Sequence, residues 1–316
     1  MKLAQTFALH RLLLSICLAA LIIVSSCSED DEPAPPAPTV SELEIGSGNN
    51  GIGVIGRDFH LNAEVEAGDK IEDVLIKIVQ RADQEYLADW SFELSWEEFK
   101  GAKNATVHKH FDIPEDAVEG FYDFILIVND ENGSSYEETF DFEIKDPANL
   151  PVDPYLYTWY TSKNDAYLFF VNESLENPEG VTLTKGDTLK SDVTIKDVKG
   201  DGTIYLVLIK KDQNHLPETV DAIDFSKVIV YDKFEHKDQE EVDSFGNIIY
   251  DGQGGYERES PKFSIGASED NNTPQPTPIQ GDIEWENGAY YFGVIYTNST
   301  YDMSVHHYLE LNLEGF

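Results

Sequence analysis

Asp58-Phe59-His60-Leu61-Asn62-Ala63-Glu64-Val65 alternates polar and apolar residues with a period of two. Successive side chains of an extended strand point to opposite sides, so this stretch is a strand with one face in a core and the other in water. The same alternation runs through Trp90, Phe92, Leu94 and Trp96, and again through Tyr122, Phe124, Leu126 and Val128. The turn Asn129-Asp130-Glu131-Asn132-Gly133 follows, and residues 136–144 supply a returning strand. Nowhere does a 3.6-residue period persist over a helix length. Short alternating strands with turn residues between them predict an all-β chain of immunoglobulin-like antiparallel sandwiches.

The second half repeats the first. Gly56-Arg57-Asp58-Phe59-His60 corresponds to Gly186-Asp187-Thr188-Leu189-Lys190, and Val74-Leu75-Ile76-Lys77-Ile78 to Tyr205-Leu206-Val207-Leu208-Ile209. Residues 120–128 correspond in the same order to residues 288–296. Two tandem sandwiches are expected, over 40–146 and 155–316, joined by a proline-bearing linker at 147–154. The second carries a long polar insertion at 234–280, ending in Thr273-Pro274-Gln275-Pro276-Thr277-Pro278, which is expected to be a disordered or functional loop.

The N-terminus reads as a secretion signal over residues 1–26. Lys2 and Arg11 precede an apolar run at 12–24 that is shorter than the roughly 20 residues of a membrane-spanning helix. Val24-Ser25-Ser26-Cys27 resembles the bacterial lipobox, which implies cleavage before Cys27 and diacylation of its sulfur. Several acyl chains at about 0.8 kcal/mol per buried methylene make a durable membrane anchor. The acidic cluster at 28–32 looks like the export signal of Bacteroidetes surface lipoproteins, and implies exposure on the outer membrane. Pro33-Ala34-Pro35-Pro36-Ala37-Pro38 favours extended polyproline geometry, and with the acidic cluster forms a tether over 27–39.

Sixty acidic residues against 22 basic ones give a formal net charge of −38. That field excludes nucleic acid as a partner and concentrates cations. The two cysteines are Cys17, within the signal, and Cys27. No disulfide is therefore expected within the mature chain.

One constellation carries metal chemistry. Asp58 and His60 project from one strand on the face opposite Phe59 and Leu61, and His108 and His110 repeat the spacing in Val107-His108-Lys109-His110-Phe111. On a strand, residues two apart share a face at about 7 Å. In an immunoglobulin-type sandwich these segments are the neighbouring strands B and E. Their histidines could then converge on one ion, with ligands suited to zinc, copper or nickel. Against this, Lys109 falls on the core side between Val107 and Phe111, and a bulge there would turn one histidine away. The competing reading is that the histidines are solvated.

The stretches at 44–50, 56–61, 108–114 and 120–124 are similar to the uncharacterised Bacteroidetes lipoprotein family called domain of unknown function 4625. The resemblance covers residues 39 to about 146. It implies an immunoglobulin-like, lipid-anchored domain, often encoded beside outer-membrane TonB-dependent receptors, with no established activity. This chain departs from the pattern after Tyr122, where the family often has further histidines and Asp123 and Ile125 stand instead. Asp123 remains a candidate carboxylate ligand. The second repeat, with Leu189 in place of His60, lacks the site.

Other motifs point elsewhere or nowhere. Gly46-x-Gly48-x-x-Gly51 and Gly51-x-Gly53-x-x-Gly56 satisfy the dinucleotide fingerprint as written, but each leads into a strand and offers no helix N-terminus to a pyrophosphate. Residues 197–202 and 130–133 lack the ligand ladder of a calcium loop and read as hairpin turns. No nucleophile elbow, zinc-protease helix or cysteine nucleophile is present, so no enzyme is expected. One of His306 and His307 is expected to be exposed and idle. The reading that results is a non-enzymatic surface lipoprotein binding zinc or copper through His60, His108, His110, Asp58 and Asp123, and passing it to a TonB-dependent receptor. The alternative is a protein- or glycan-binding accessory lipoprotein using Trp90, Trp96 and the aromatic run at 155–160.

Overall fold

Alternation in the first half builds two facing sheets. The computed structural model describes residues 34–316; the signal at 1–26, Cys27 and the acidic cluster lie outside the described residues. The strands of the first half are β1 (Thr39–Ile45), β2 (Ile52–Val54), β3 (Asp58–Glu66), β4 (Ile71–Gln80), β5 (Ser91–Trp96), β6 (Asn104–Asp112), β7 (Gly120–Asp130) and β8 (Ser135–Lys145). One sheet has the order β1-β3-β6 and the other β2-β8-β7-β4-β5. Phe59, Leu61, Ala63 and Val65 of β3 meet Val74, Ile76 and Ile78 of β4, and Tyr122, Phe124, Leu126 and Val128 of β7, in one core. Phe124 is fully buried there. Phe124→Ala is expected to cost about 3–5 kcal/mol, read as a lowered urea midpoint at unchanged slope.

The β3–β6 register is unbroken, pairing Phe59 with Phe111, His60 with His110, Leu61 with Lys109 and Asn62 with His108. The bulge expected at Lys109 is absent. Lys109 keeps the core parity because its stem can run along apolar surface while its ammonium reaches the Glu98 carboxylate, beside the Phe99 ring. The end of the proline-rich segment is likewise docked on the domain. Pro38 is buried, and the Pro36 carbonyl accepts hydrogen bonds from Asn132 Nδ2 at 3.0 Å and Ser134 Oγ at 2.9 Å.

The second half contains β9 (Tyr155–Lys163), β10 (Ala166–Asn172), β11 (Thr182–Thr184), β12 (Thr188–Lys210), β13 (Val228–Gly246), β14 (Ile249–Tyr250), β15 (Tyr256–Arg258), β16 (Lys262–Ser264), β17 (Gly288–Asn298) and β18 (Met303–Glu314). Its main sheet follows β10-β9-β12-β17-β18-β11, with β13 and β16 also paired to β12. Trp159 of β9 lies opposite Val193, and Phe292 of β17 opposite Leu208. Those two positions on β12 would be about 50 Å apart on a straight strand. Yet the Trp159 and Phe292 rings meet edge-on at 4.9 Å. β12 therefore bends, and the sheet folds over its main core. The bend falls at residues 197–202, where Asp197 and Gly200 have φ of 58° and 73°. These residues form a break within one strand, not the hairpin turn expected. A β-carbon at Gly200 would stand 2.5 Å from Thr300 Oγ1, so glycine is required there.

Pairing also corrects the internal alignment by one residue. In the first half Val74 pairs with Val128, Ile76 with Leu126 and Ile78 with Phe124. In the second, Ile204 pairs with Tyr296, Leu206 with Val294 and Leu208 with Phe292. Val74 thus corresponds to Ile204, not Tyr205. Residues 204–209 are buried on both faces, one against the main core and one against a smaller cluster, so hydrophobicity could not fix their parity. By the same logic Leu189 is a core residue, equivalent to Phe59, and Lys190 takes the outward position of His60.

The segment expected to be a loop at 234–280 is largely built into the sheet. β13 extends to Gly246 along β12, β14 and β15 form a hairpin, and Phe263, Ile265 and Ile279 enter the core. Its polarity comes from the solvent-facing part of β13. Among the described residues no helix is long and apolar enough to cross a membrane.

Candidate metal centre

His60 and His110 face each other across the β3–β6 pair, and His108 lies one step along the same face. Their ring centroids form a nearly equilateral triangle, at 5.0 Å for His60–His108, 5.1 Å for His60–His110 and 5.2 Å for His108–His110. The fourth member comes from the second half. Glu218 lies in the segment between β12 and β13, and its Oε1 stands 3.2 Å from His60 Nδ1 and 3.4 Å from His110 Nε2. One ligand atom from each of the four side chains falls within 4.8 Å of every other. A tetrahedral ion with bonds of about 2.1 Å spaces its ligands roughly 3.4 Å apart. The carboxylate oxygen already stands near that spacing from two imidazole nitrogens.

His60 is 6% exposed, and neither ring nitrogen makes a hydrogen bond. Nε2 stands 3.5 Å from Glu44 Oε2, opposite the Glu218 contact. Burial opposes protonation of this imidazole, but the Glu218 and Glu44 carboxylates outweigh it and lift His60 to about 9. Burial likewise raises Glu218, yet its contact with His60 and the charges of His60, His306 and His110 bring it down to about 2. Burial, and then repulsion from His60 and His110, lower His108.

Asp58 accepts a hydrogen bond from His110 Nδ1 at 2.7 Å, which turns Nε2 toward Glu218. Asp58 is thus placed to orient a ligand, as carboxylates do behind metal-bound histidines, and Glu44 occupies the equivalent place behind His60. Asp123 is elsewhere. Alternation along β7 sends it to the outer face of the five-stranded sheet, where it accepts from Arg81 Nε at 2.8 Å. The site opens into a cleft of about 640 Å³, also lined by His215 and His306. Of His306 and His307, His306 is the exposed one, as expected, and lines this cleft, while His307 is half-buried and its Nε2 bonds Asn177 Oδ1 at 2.6 Å.

The chemical character of this face is clear from its donors: three imidazoles, one carboxylate and no thiolate. Such a set would suit zinc, copper(II) or nickel better than calcium or magnesium, which prefer all-oxygen shells. Residues 25–145 match the family described as domain of unknown function (DUF4625). The three histidines, Asp58 and Glu44 all lie inside the DUF4625 segment; Glu218, His215 and His306 lie beyond it. No curated protein matches the chain. Matching solved structures include dimeric latent PorU from Porphyromonas gingivalis, 11% identical over 92% of this chain and 21% of that one, with a TM-score of 0.31. Another is the native conformation of E. coli alpha-2-macroglobulin, 12% identical over 88% of this chain and 14% of that one, with a TM-score of 0.23. The chain spans about a fifth or less of both.

The aromatic residues considered for a binding platform are mostly structural. Trp159 is fully buried, and Trp90 and Trp96 pack against the first core. Tyr160 and Tyr167 are exposed, with centroids 6.0 Å apart at the sheet edge.

Proposed function

We propose that this protein is an exported lipoprotein, anchored through Cys27 to the outer membrane, that holds one transition-metal ion and passes it to a TonB-dependent receptor without catalysing a reaction. The ion, zinc or copper, is held by His60, His108, His110 and Glu218, with Asp58 and Glu44 orienting two of the imidazoles. The observation that carries this reading is the convergence of four ligand atoms on a buried His60 whose ring nitrogens make no hydrogen bond. Without an ion both nitrogens face carboxylates at 3.2 and 3.5 Å outside hydrogen-bond geometry, and a bound metal would give the buried ring a direct partner. The net charge of −38 favours cation capture over a membrane surface.

Isothermal titration of residues 28–316 with zinc and with copper tests it. One-to-one binding at micromolar affinity or tighter is expected. Asp58→Asn should weaken it about 10–100-fold, the usual effect of losing an outer carboxylate, whereas Asp123→Asn should change nothing. Heat spread over many weak sites, indifferent to Asp58→Asn, would instead favour an accessory protein- or glycan-binding role.

A further inference from the structure

The four ligands are divided between the two halves of the molecule: three histidines on β3 and β6 of the first sandwich, and Glu218 from the second. We propose, resting on the metal-binding reading, that the bound ion is an interdomain clamp, so that loading the site fixes the two sandwiches relative to each other and unloading frees them.

The interface without an ion is polar. Each of the three hydrophobic clusters draws its residues from one half, and none crosses between them. Among the described residues, the ties across the boundary include the pair of Arg57 with Asp153 of the linker at 2.6 and 2.7 Å, single hydrogen bonds from Asn50 to the Asp302 carbonyl and from Ser47 to Glu218, and the contacts of Glu218 Oε1 with His60 and His110 at 3.2 and 3.4 Å, which ligation to an ion would replace. Both partners of the ion pair are about 40% exposed. Exposed ion pairs contribute about 0–1 kcal/mol, and small polar domain interfaces permit motion.

Glu218, by contrast, is rigidly mounted on its own half. Val220 and Ile223 pack into the smaller cluster with Tyr205, Val228 and Ile295. Val220 N donates to Thr297 Oγ1 at 2.9 Å, and the Tyr308 hydroxyl donates to the Pro217 carbonyl at 2.6 Å. The histidines sit on an unbroken strand pair. Both sides of the site are therefore attached to stiff elements, and a ligand bond from Glu218 to an ion on the histidines constrains whole domains and not a loose loop.

The test labels exposed Glu137→Cys and Glu240→Cys in residues 28–316 with nitroxides, since that stretch has no native cysteine. Interdomain distances are measured by pulsed dipolar resonance with chelator and with zinc, and zinc binding is titrated on the same samples. The expected result is a broad distribution that narrows to one peak with zinc. In Glu218→Gln, zinc should still bind the three histidines, more weakly by at least the roughly 10–100-fold that an outer-shell partner is worth, while the distribution stays broad at saturation. Zinc binding with the same distribution in both states, a narrow metal-free distribution, or narrowing that survives Glu218→Gln would overturn the clamp and leave the metal site standing. No zinc binding in the unsubstituted chain would remove both.

Discussion

Replacing His108 and His110 together by alanine is expected to weaken zinc binding more than about 1,000-fold, leaving no one-to-one isotherm. The magnitude follows from outer-shell partners, whose loss alone costs about 10–100-fold; two direct ligands should exceed that twice over. The fold should survive, because both side chains lie on the outer face of β6, away from the core. An unchanged urea midpoint of the metal-free variant, together with lost binding, separates ligand loss from misfolding. A one-to-one isotherm of ordinary affinity in the double variant would mean the ion sits elsewhere.

The second large effect is on the pH dependence of metal-free stability. His60 is lifted from 6.5 to about 9 in the folded state, so folding favours its protonated form. That contribution is fully present below about 6.5 and is lost as pH rises through about 9. At 1.36 kcal/mol per tenfold change in proton affinity it amounts to about 3 kcal/mol, to order of magnitude. Glu218, held at about 2, is the other partner of the same contact. Its contribution is present above about 4.5 and is lost as pH falls toward 2, and the two are counted once because the pair titrates together. Urea denaturation with chelator should therefore show stability falling by about 3 kcal/mol from pH 6.5 to 9, a decline flattened in His60→Gln. Equal slopes in the two proteins would contradict the pairing. Since a ligand imidazole must be neutral, zinc affinity should rise over the same interval by up to about tenfold per pH unit.

The strands of the first sandwich are legible in the sequence because each has one face in water. Asp58 to Val65 and Tyr122 to Val128 alternate cleanly, and the i, i+2 spacing of His108 and His110 is enough to put them on one face. Where both faces are buried, as at residues 204–209, the pattern loses its parity and the internal alignment slips by one. Glu218 gives no local signal. It stands in Leu216-Pro217-Glu218-Thr219, an unpatterned segment far along the chain, and reaches the histidines only because Val220 and Ile223 bind their own half and carry it there. Asp123 illustrates the converse: a plausible residue type on an outward face, but of the opposite sheet. The long insertion misleads because an exposed strand edge such as β13 is as polar as a loop.

X-ray absorption at the zinc edge of the loaded protein tests the central claim most directly. The expected spectrum shows a first shell of nitrogen and oxygen at about 2.0–2.1 Å, with the outer-shell scattering of three imidazoles. A first shell of oxygen alone, without imidazole scattering, would place the ion on surface carboxylates and contradict the assignment of His60, His108, His110 and Glu218 as its ligands.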